Sequence, residues 1–159
     1  MAACSDVPSR AATLSDSPAI ASLMTQLGYP STPLEIERRL ERLLSSPDYQ
    51  TIVAEAPGEP GKIVEVVGLV LLHLEYGLEY DAAYGRVMGL VIHEGWRGRG
   101  LGRQLMQYAE RWCGERGADR IVLTSASRRA DAHKFYDAIG YETTGVRFAK
   151  ALKAVKAKT

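Results

Sequence analysis

The 159-residue chain has few cysteines, almost no net charge and no long hydrophobic run. Its two cysteines, Cys4 and Cys113, lie far apart, which excludes a disulfide framework and clustered metal-ligand spacing. We therefore expect a reducing, cytoplasmic compartment and no metal site. The longest apolar run, Val66 to Leu72, is too short to cross a bilayer, and the first residues lack the basic-then-apolar pattern of a signal peptide.

Acidic and basic residues almost balance, with 20 Lys and Arg against 19 Asp and Glu, so the formal net charge is +1. A strongly basic surface is excluded by this balance, and we expect neither nucleic acid nor a membrane as partner. A nucleic-acid-binding domain that uses local arginines is an alternative function, and the near-zero net charge argues against it. The apolar fraction of 46% and the charged fraction of 25% are typical of a globular domain.

Hydrophobic periodicity divides the chain into a series of short strands and helices. The predicted elements are, in chain order, strand 10–13, a helix from Asp16 or Ser17 to Gly28, helix 33–44 capped by Ser31 or Thr32, strands 50–55, 62–74 and 87–92, helix 101–117, strand 120–126, a helix from Asp131 to Ile139, and last strands near Tyr141 and at 147–152. This order predicts a mixed α/β domain with helices on both faces of the sheet and a central parallel strand–helix–strand unit.

A glycine-rich turn, Trp96-Arg97-Gly98-Arg99-Gly100-Leu101-Gly102-Arg103, joins a buried strand to an amphipathic helix. Such a turn directs unpaired backbone N–H groups and the positive end of the helix dipole at a phosphate-bearing ligand. A Walker A loop is excluded, because Arg103 stands where that loop needs lysine. A dinucleotide fingerprint is excluded at the same position, since it needs a third glycine there. A purely structural turn is the alternative, but it would not need Trp96 and three arginines.

The segment from Arg97 to Gly102 resembles the acyl-CoA-binding motif of the GNAT acetyltransferase superfamily, Gln/Arg-x-x-Gly-x-Gly/Ala. Residues 132–141 resemble the second signature of that family, Ala-x-x-Phe-Tyr-x-x-x-Gly-Phe/Tyr. The resemblance covers residues 10–152 and implies a single domain over 1–159. The implied fold is a GNAT-like α/β domain with a mixed, mostly antiparallel sheet of six to seven strands and helices on both faces.

The resemblance implies acetyl-CoA as co-substrate and a primary amine as acceptor. The pyrophosphate of CoA would lie on the turn, and its pantetheine arm would pair with the strand before it. The residues implied in cofactor binding are Leu90, Val91, Ile92, Arg97, Gly98, Arg99, Gly100, Leu101, Gly102, Arg103, Ser127 and Phe135. An N–H group of the strand would also polarise the thioester carbonyl.

At its position in the second signature, Tyr136 is implied as the general acid that protonates the departing CoA sulfur. A phenol with an ordinary pKa of about 10 stays protonated at neutral pH. The alternative is that Tyr136 only packs beside Phe135. Cys113 lies on the apolar face of its helix and is predicted to be a core residue, so direct transfer is favoured over an acyl-enzyme route.

The general base is less well defined by the sequence. Members of the family often carry a glutamate near the start of the strand before the turn, where this chain has Arg86. We expect Glu79 as the base, with His73 relaying a proton through water. Glu75 and Asp81 are alternatives, as is an amine that loses its proton directly to water.

Carboxylates and tyrosines alternate in the segment that precedes residue 85, where the family builds its acceptor site. Glu79 and Asp81 beside Tyr80 favour a small cationic acceptor, since carboxylates attract an ammonium group and aromatic faces hold it. A polar loop that merely covers the end of the sheet is the alternative.

A non-catalytic acyl-CoA sensor is the alternative to an enzyme. The open edges of the end strands would allow a homodimer.

Overall fold

The computed structural model describes residues 7–57 and 64–152. Cys4 and Lys62, the predicted start of the third strand, lie outside the described residues. The elements are β1 (Ser9–Ala11), α1 (Ser17–Leu27), α2 (Pro33–Leu44), β2 (Tyr49–Glu55), β3 (Val66–Glu75), β4 (Ala83–Ile92), α3 (Leu101–Glu115), β5 (Ala118–Leu123) and α4 (Ala130–Ala138). The described residues up to Leu123 form one compact unit, those from Thr124 to Leu152 form another, and each is described by itself.

The first unit contains one mixed sheet with the strand order β1-β2-β3-β4-β5. Neighbouring strands from β1 to β4 are antiparallel, and β4 and β5 are parallel. The predicted parallel strand–helix–strand unit, β4-α3-β5, is therefore confirmed. Strand β4 begins at Ala83, four residues earlier than predicted, so the connection between β3 and β4 is only residues 76–82.

The prediction of six to seven strands is wrong, because the described residues contain five. The two missing strands are those predicted near Tyr141 and at 147–152, where residues 141–152 adopt no regular secondary structure. Val146, Phe148 and Leu152 in this stretch are each exposed, Phe148 at 93%. A strand needs a neighbouring backbone to bond its N–H and C=O groups, and apolar residues alone do not supply one.

Helix starts were predicted with mixed success. The capping box of α2 is confirmed: Thr32 Oγ1 accepts from the Glu35 N–H at 3.3 Å, and Glu35 Oε2 accepts from the Thr32 N–H at 2.8 Å. Asp16 is the N-cap of α1, but its carboxylate accepts from the Thr13 N–H of the preceding turn instead of capping the helix. The prediction that Asp131 caps α4 is wrong, since it lies in the first turn of the helix.

Helices cover both faces of the sheet in the first unit. A Cβ at Gly68 of β3 would lie within 3.4 Å of Leu101 and Leu105, which places α3 on that face. Its neighbour Leu69 belongs to the buried cluster that contains Ile20 of α1. Successive residues of a strand face opposite sides, so α1 and α3 lie on opposite faces.

Gly85 sets how closely α3 approaches β4. A Cβ at this position would overlap the Sγ atom of Cys113, which is buried as predicted. We therefore expect Gly85→Ala to lower the free energy of unfolding by about 1–3 kcal/mol, the usual cost of overpacking a core. Gly114→Ala is the matched control, because no heavy atom lies within 4 Å of a Cβ there. In that helix it should raise the stability by about 0.5–1 kcal/mol. Urea denaturation measures the free energy of unfolding of both variants. A change of the same sign in the two would contradict the close packing at Gly85.

Candidate functional site

The glycine-rich turn follows β4 and opens α3. Gly98 and Gly100 have φ angles of 73° and 84°, in the left-handed region that side chains with a Cβ avoid. Gly100 is the N-cap of α3, with no side-chain cap bond and no acidic residue in the first turn. Among the described residues, no protein acceptor reaches the N–H groups of Leu101 and Gly102. The turn therefore presents backbone donors and a helix N-terminus to an anion.

Some side chains in and beside the turn stabilise its backbone, and others carry positive charge at its surface. Arg97 Nε donates to the carbonyl of Ile92 at 3.0 Å and so ties the turn back to the end of β4. The Arg99 guanidinium lies 4.9 Å from the ring centroid of Trp96. His93 Nδ1 accepts from the Gly95 N–H at 3.1 Å, a bond that caps the short 3-10 helix Glu94–Trp96 leading into the turn. Arg103 lies in the first turn of α3 and is exposed.

Strand β4 carries an extra residue just before this turn. Gly89 lies opposite Leu71 and Val87 lies opposite Leu72, so Met88 has no counterpart on β3. This one-residue bulge exchanges the two faces of the strand. It explains why Gly85 meets α3 whereas Val91 joins the cluster beside α1.

The last five residues of β4 have one unpaired edge. The ladder to β5 ends at the pair Val87 and Leu123, so within the described residues no strand pairs with this edge from Met88 onward. The His93 N–H donates to the carbonyl of Val67 and therefore points toward β3. Backbone groups alternate in direction along a strand, so those of Leu90 and Ile92 point to the open edge. An extended ligand arm can bond there as an additional strand would.

An apolar pocket of about 220 Å³ lies at the bulge, on the sheet face that α1 covers. Its lining residues are Met24, Leu27, Tyr29, Leu69, Leu71, Met88, Gly89 and Val91. Tyr29 and Met88 are exposed, so the pocket opens to solvent. It is suited to a short apolar group beside the open edge of β4.

A polar cluster continues the same face of β3 and β4, away from the turn. Arg86 Nε and Nη2 donate to the two carboxylate oxygens of Glu75 at 2.5 and 3.0 Å. His73 Nδ1 lies 3.3 Å from Glu75 Oε1, and the His73 ring stacks on Tyr49 with centroids 4.1 Å apart. The Arg86 guanidinium lowers the pKa of Glu75 to about 2, and Glu75 in turn raises the pKa of Tyr84. At neutral pH Glu75 is therefore too weak a base to take a proton from an ammonium group.

The Glu75–Arg86 pair gives a testable dependence of stability on pH. The pKa of Glu75 falls from 4.5 to about 2 on folding, so the pair stabilises the protein above pH 4.5 and this contribution disappears as the pH falls toward 2. We expect the stability difference between wild type and Glu75→Gln to shrink steadily between pH 5 and pH 2. Chemical denaturation across this range measures it, and a constant difference would contradict the pairing.

The connection between β3 and β4 carries the other predicted base. Glu79 lines an open depression of about 360 Å³ together with Tyr80, Asp81 and Asp119. The Arg120 guanidinium lies 3.5 Å from the ring centroid of Tyr80 and is paired with Asp119. The structure thus places His73 in the polar cluster with Glu75, whereas Glu79 lies in the loop.

In the second unit, α4 carries the predicted general acid. The Tyr136 ring is half-buried, 5.2 Å from the ring of Phe135 and 5.9 Å from that of Tyr141. Burial raises the pKa of Tyr136, so its hydroxyl is protonated at neutral pH. Ser127 lies in an exposed turn before the helix.

One buried polar group of the second unit was not predicted from the sequence. The hydroxyl of Ser125 is buried and, among the described residues, has no hydrogen-bond partner. No pattern in the sequence distinguishes this serine from Ser127.

The described residues contain no group of three or more His, Cys, Asp or Glu side chains placed to hold a metal ion. In the same residues, no helix has the length and apolar character needed to cross a membrane.

Comparison with known proteins links the turn and α4 to one family. Residues 18–141 match the model of the acetyltransferase (GNAT) family. An aminoalkylphosphonate N-acetyltransferase of Salmonella typhimurium strain LT2 is 38% identical over 88 residues, which are 55% of this chain and 57% of that protein. The match therefore spans little more than half the length of this curated relative.

Two solved structures show the same fold. A transcriptional regulator from Bacillus halodurans C-125 superposes with a TM-score of 0.81 at 24% identity, covering 92% of this chain and 100% of that one. An aminoglycoside N-acetyltransferase in complex with CoA superposes with a TM-score of 0.73 at 17% identity, covering 92% of this chain and 100% of that one.

Proposed function

Because the chain belongs to the GNAT acetyltransferase family, we propose that it transfers the acetyl group of acetyl-CoA to the primary amine of a small molecule. The amine attacks directly in a ternary complex. The observation that carries this proposal is the combination of an uncapped helix N-terminus at Gly100 with the open edge of β4 before it.

The turn and the strand edge have the donors that CoA requires. A pyrophosphate would accept hydrogen bonds from the backbone of the turn, at the positive end of the α3 dipole. Gly98 has open space where a Cβ would stand, so a phosphate group can approach the backbone there. The amide groups of the pantetheine arm would bond to Leu90 and Ile92. Acetyl-CoA supplies an activated thioester to this site.

Two groups of the chain would assist the transfer. The N–H of Leu90 or Ile92 would donate to the thioester oxygen as negative charge develops on it. The amine nitrogen bonds to the carbonyl carbon, the carbon–sulfur bond breaks, and Tyr136 gives its proton to the departing sulfur. The nitrogen then releases one proton to water, and a proton from water restores the Tyr136 hydroxyl. The raised pKa of Tyr136 supports this role, because a general acid must be protonated before it acts.

The amine must lose a proton before it attacks. Glu75 is a poor candidate for this task, because Arg86 holds its carboxylate ionised far below neutral pH. We propose that Glu79 or His73, the base and the relay that the sequence predicts, accepts this proton through a water molecule. His73 is half-buried in the polar cluster beside the apolar pocket, which supports it as the relay.

The acceptor is proposed to be a small molecule that arrives with its amine protonated. Glu79 and Asp81 line one depression, which supports attraction of an ammonium group, whereas Asp119 in the same depression is paired with Arg120. The name of the Salmonella relative, which describes an aminoalkylphosphonate acetyltransferase, supports a small amine over a protein substrate.

Amine-dependent release of free thiol from acetyl-CoA tests the proposal. The purified protein should release CoA thiol with at least one small primary amine, and the release should depend on the amine concentration. Tight CoA binding without thiol release for any amine of a broad panel would favour the acyl-CoA sensor instead. The low pKa of Glu75 is the observation that favours this second candidate, because it removes one carboxylate base from the site.

A further inference from the structure

We propose that Arg86 binds an oxyanion of the acceptor, so that the preferred substrates are amines that also carry a carboxylate or phosphonate group. This inference rests on the proposed function, since it specifies the acceptor of the same site. It adds an anionic group to the ammonium group discussed above and makes the acceptor a zwitterion.

The polar cluster and the apolar pocket form one continuous surface. Leu69, Leu71, His73 and Glu75 are alternate residues of β3 and therefore share one face of the strand. Leu69 and Leu71 line the pocket, and Arg86 is paired in register with His73, the next residue on that face. The rise of two strand residues, about 7 Å, separates the pocket from Arg86. A short aminoalkyl acid spans this distance with its acid at Arg86 and its carbon chain along the apolar pocket.

Arg86 has donors to spare after its contact with Glu75. A guanidinium carries five N–H donors in one plane. Two of them, at Nε and Nη2, bond to Glu75, and the Tyr84 hydroxyl also interacts with the guanidinium. Glu75 also interacts with the Tyr84 hydroxyl and His73, so Arg86 is not its sole partner. The Arg86 side chain is 31% exposed, so the remaining edge of the guanidinium is accessible to an oxyanion.

Glu75 orients the arginine for this role. A bidentate carboxylate fixes the plane of a guanidinium, and β3 and β4 hold the two backbones in register. The stacked pair of Tyr49 and His73 limits motion on the neighbouring side. A fixed, half-buried arginine at the end of an apolar pocket is a preorganised site for one acidic group.

The test compares three amines with similar chain lengths: propylamine, 3-aminopropionate and 2-aminoethylphosphonate. For each, kcat/KM is measured with saturating acetyl-CoA, and the ratio of each acidic amine to propylamine is the readout. Wild type should prefer one or both acidic amines, and the better of the two identifies the oxyanion. Arg86→Gln should reduce this ratio by about 10- to 100-fold, the effect of losing one charge-assisted hydrogen bond.

Arg10→Gln is the matched control, because Arg10 is also a strand arginine paired with carboxylates, here Asp16 and Glu55. It should leave the ratio as in wild type. Arg86→Lys keeps the charge and should restore part of the preference. A wild type without acid preference would overturn the inference, as would an equal loss on all three amines in Arg86→Gln.

Equilibrium binding of the same three amines to the CoA complex separates this inference from the proposed function. Tighter binding of the acidic amines than of propylamine, lost in Arg86→Gln, would support the oxyanion site. If no thiol is released in that case, only the proposed acetyl transfer fails. Binding without acid preference would overturn the inference even where propylamine is acetylated.

Discussion

Replacing Tyr136 by phenylalanine is expected to lower kcat by about 10²- to 10⁴-fold, the usual contribution of a positioned general acid. The substitution removes only the hydroxyl, so the ring contacts with Phe135 and Tyr141 are retained. The KM for acetyl-CoA should change little, because we propose that the turn and the strand edge provide the cofactor contacts. Steady-state kinetics with a saturating amine measure both parameters.

Tyr141→Phe is the matched control, since it removes a hydroxyl from a neighbouring tyrosine of the same unit. Its kcat should stay close to that of wild type.

A less basic leaving group adds a second test. A thioester whose thiol has a low pKa needs less protonation, so the defect of Tyr136→Phe should be smaller with such an acetyl donor. Wild-type kcat in Tyr136→Phe would show that this ring only packs.

Gly100→Ala is expected to weaken CoA binding by about 100-fold. The φ angle of 84° lies in the left-handed region, where an L side chain costs about 1–2 kcal/mol. Relief of this strain would displace the turn and lose at least one charge-assisted hydrogen bond to phosphate, about 1.5–3 kcal/mol. About 1.4 kcal/mol corresponds to a factor of ten in affinity. Isothermal titration of CoA into the variant measures the loss.

The chain offers a closely matched control for backbone strain. Gly117 follows α3 with a φ angle of 82°, and no heavy atom lies within 4 Å of a Cβ there. Gly117→Ala should therefore lower the melting temperature in the same way, with no effect on CoA affinity. Equal affinity losses in the two variants would indicate a global effect of strain. Unchanged affinity in Gly100→Ala would contradict the phosphate cradle.

The features that the sequence predicts well are those determined by neighbouring residues. The capping box at Thr32 and Glu35 depends on two residues three positions apart. The buried face of α3 follows from the helical spacing of Leu101, Leu105, Ala109 and Cys113. The glycine-rich turn is equally local, because Gly98 and Gly100 adopt backbone angles that other residues disfavour. Local rules of this kind need no knowledge of the tertiary structure.

Features that depend on strand pairing were predicted less well. The bulge at Met88 is a property of the register between β3 and β4, and an apolar residue there looks like any other strand residue. The pair formed by Glu75 and Arg86 spans 11 positions, so the sequence left Glu75 among the candidate bases. The last two predicted strands are absent for the same reason, since among the described residues no strand pairs with residues 141–152.

Mass spectrometry of the reaction between labelled acetyl-CoA and a primary amine tests the central claim most directly. We expect the label on the amine nitrogen of the product, free CoA in equal amount, and no label on the protein itself. Labelled protein that passes its acetyl group to the amine would contradict direct transfer. CoA bound at the turn with no labelled amine, across zwitterionic and cationic acceptors, would contradict the acetyltransferase function itself.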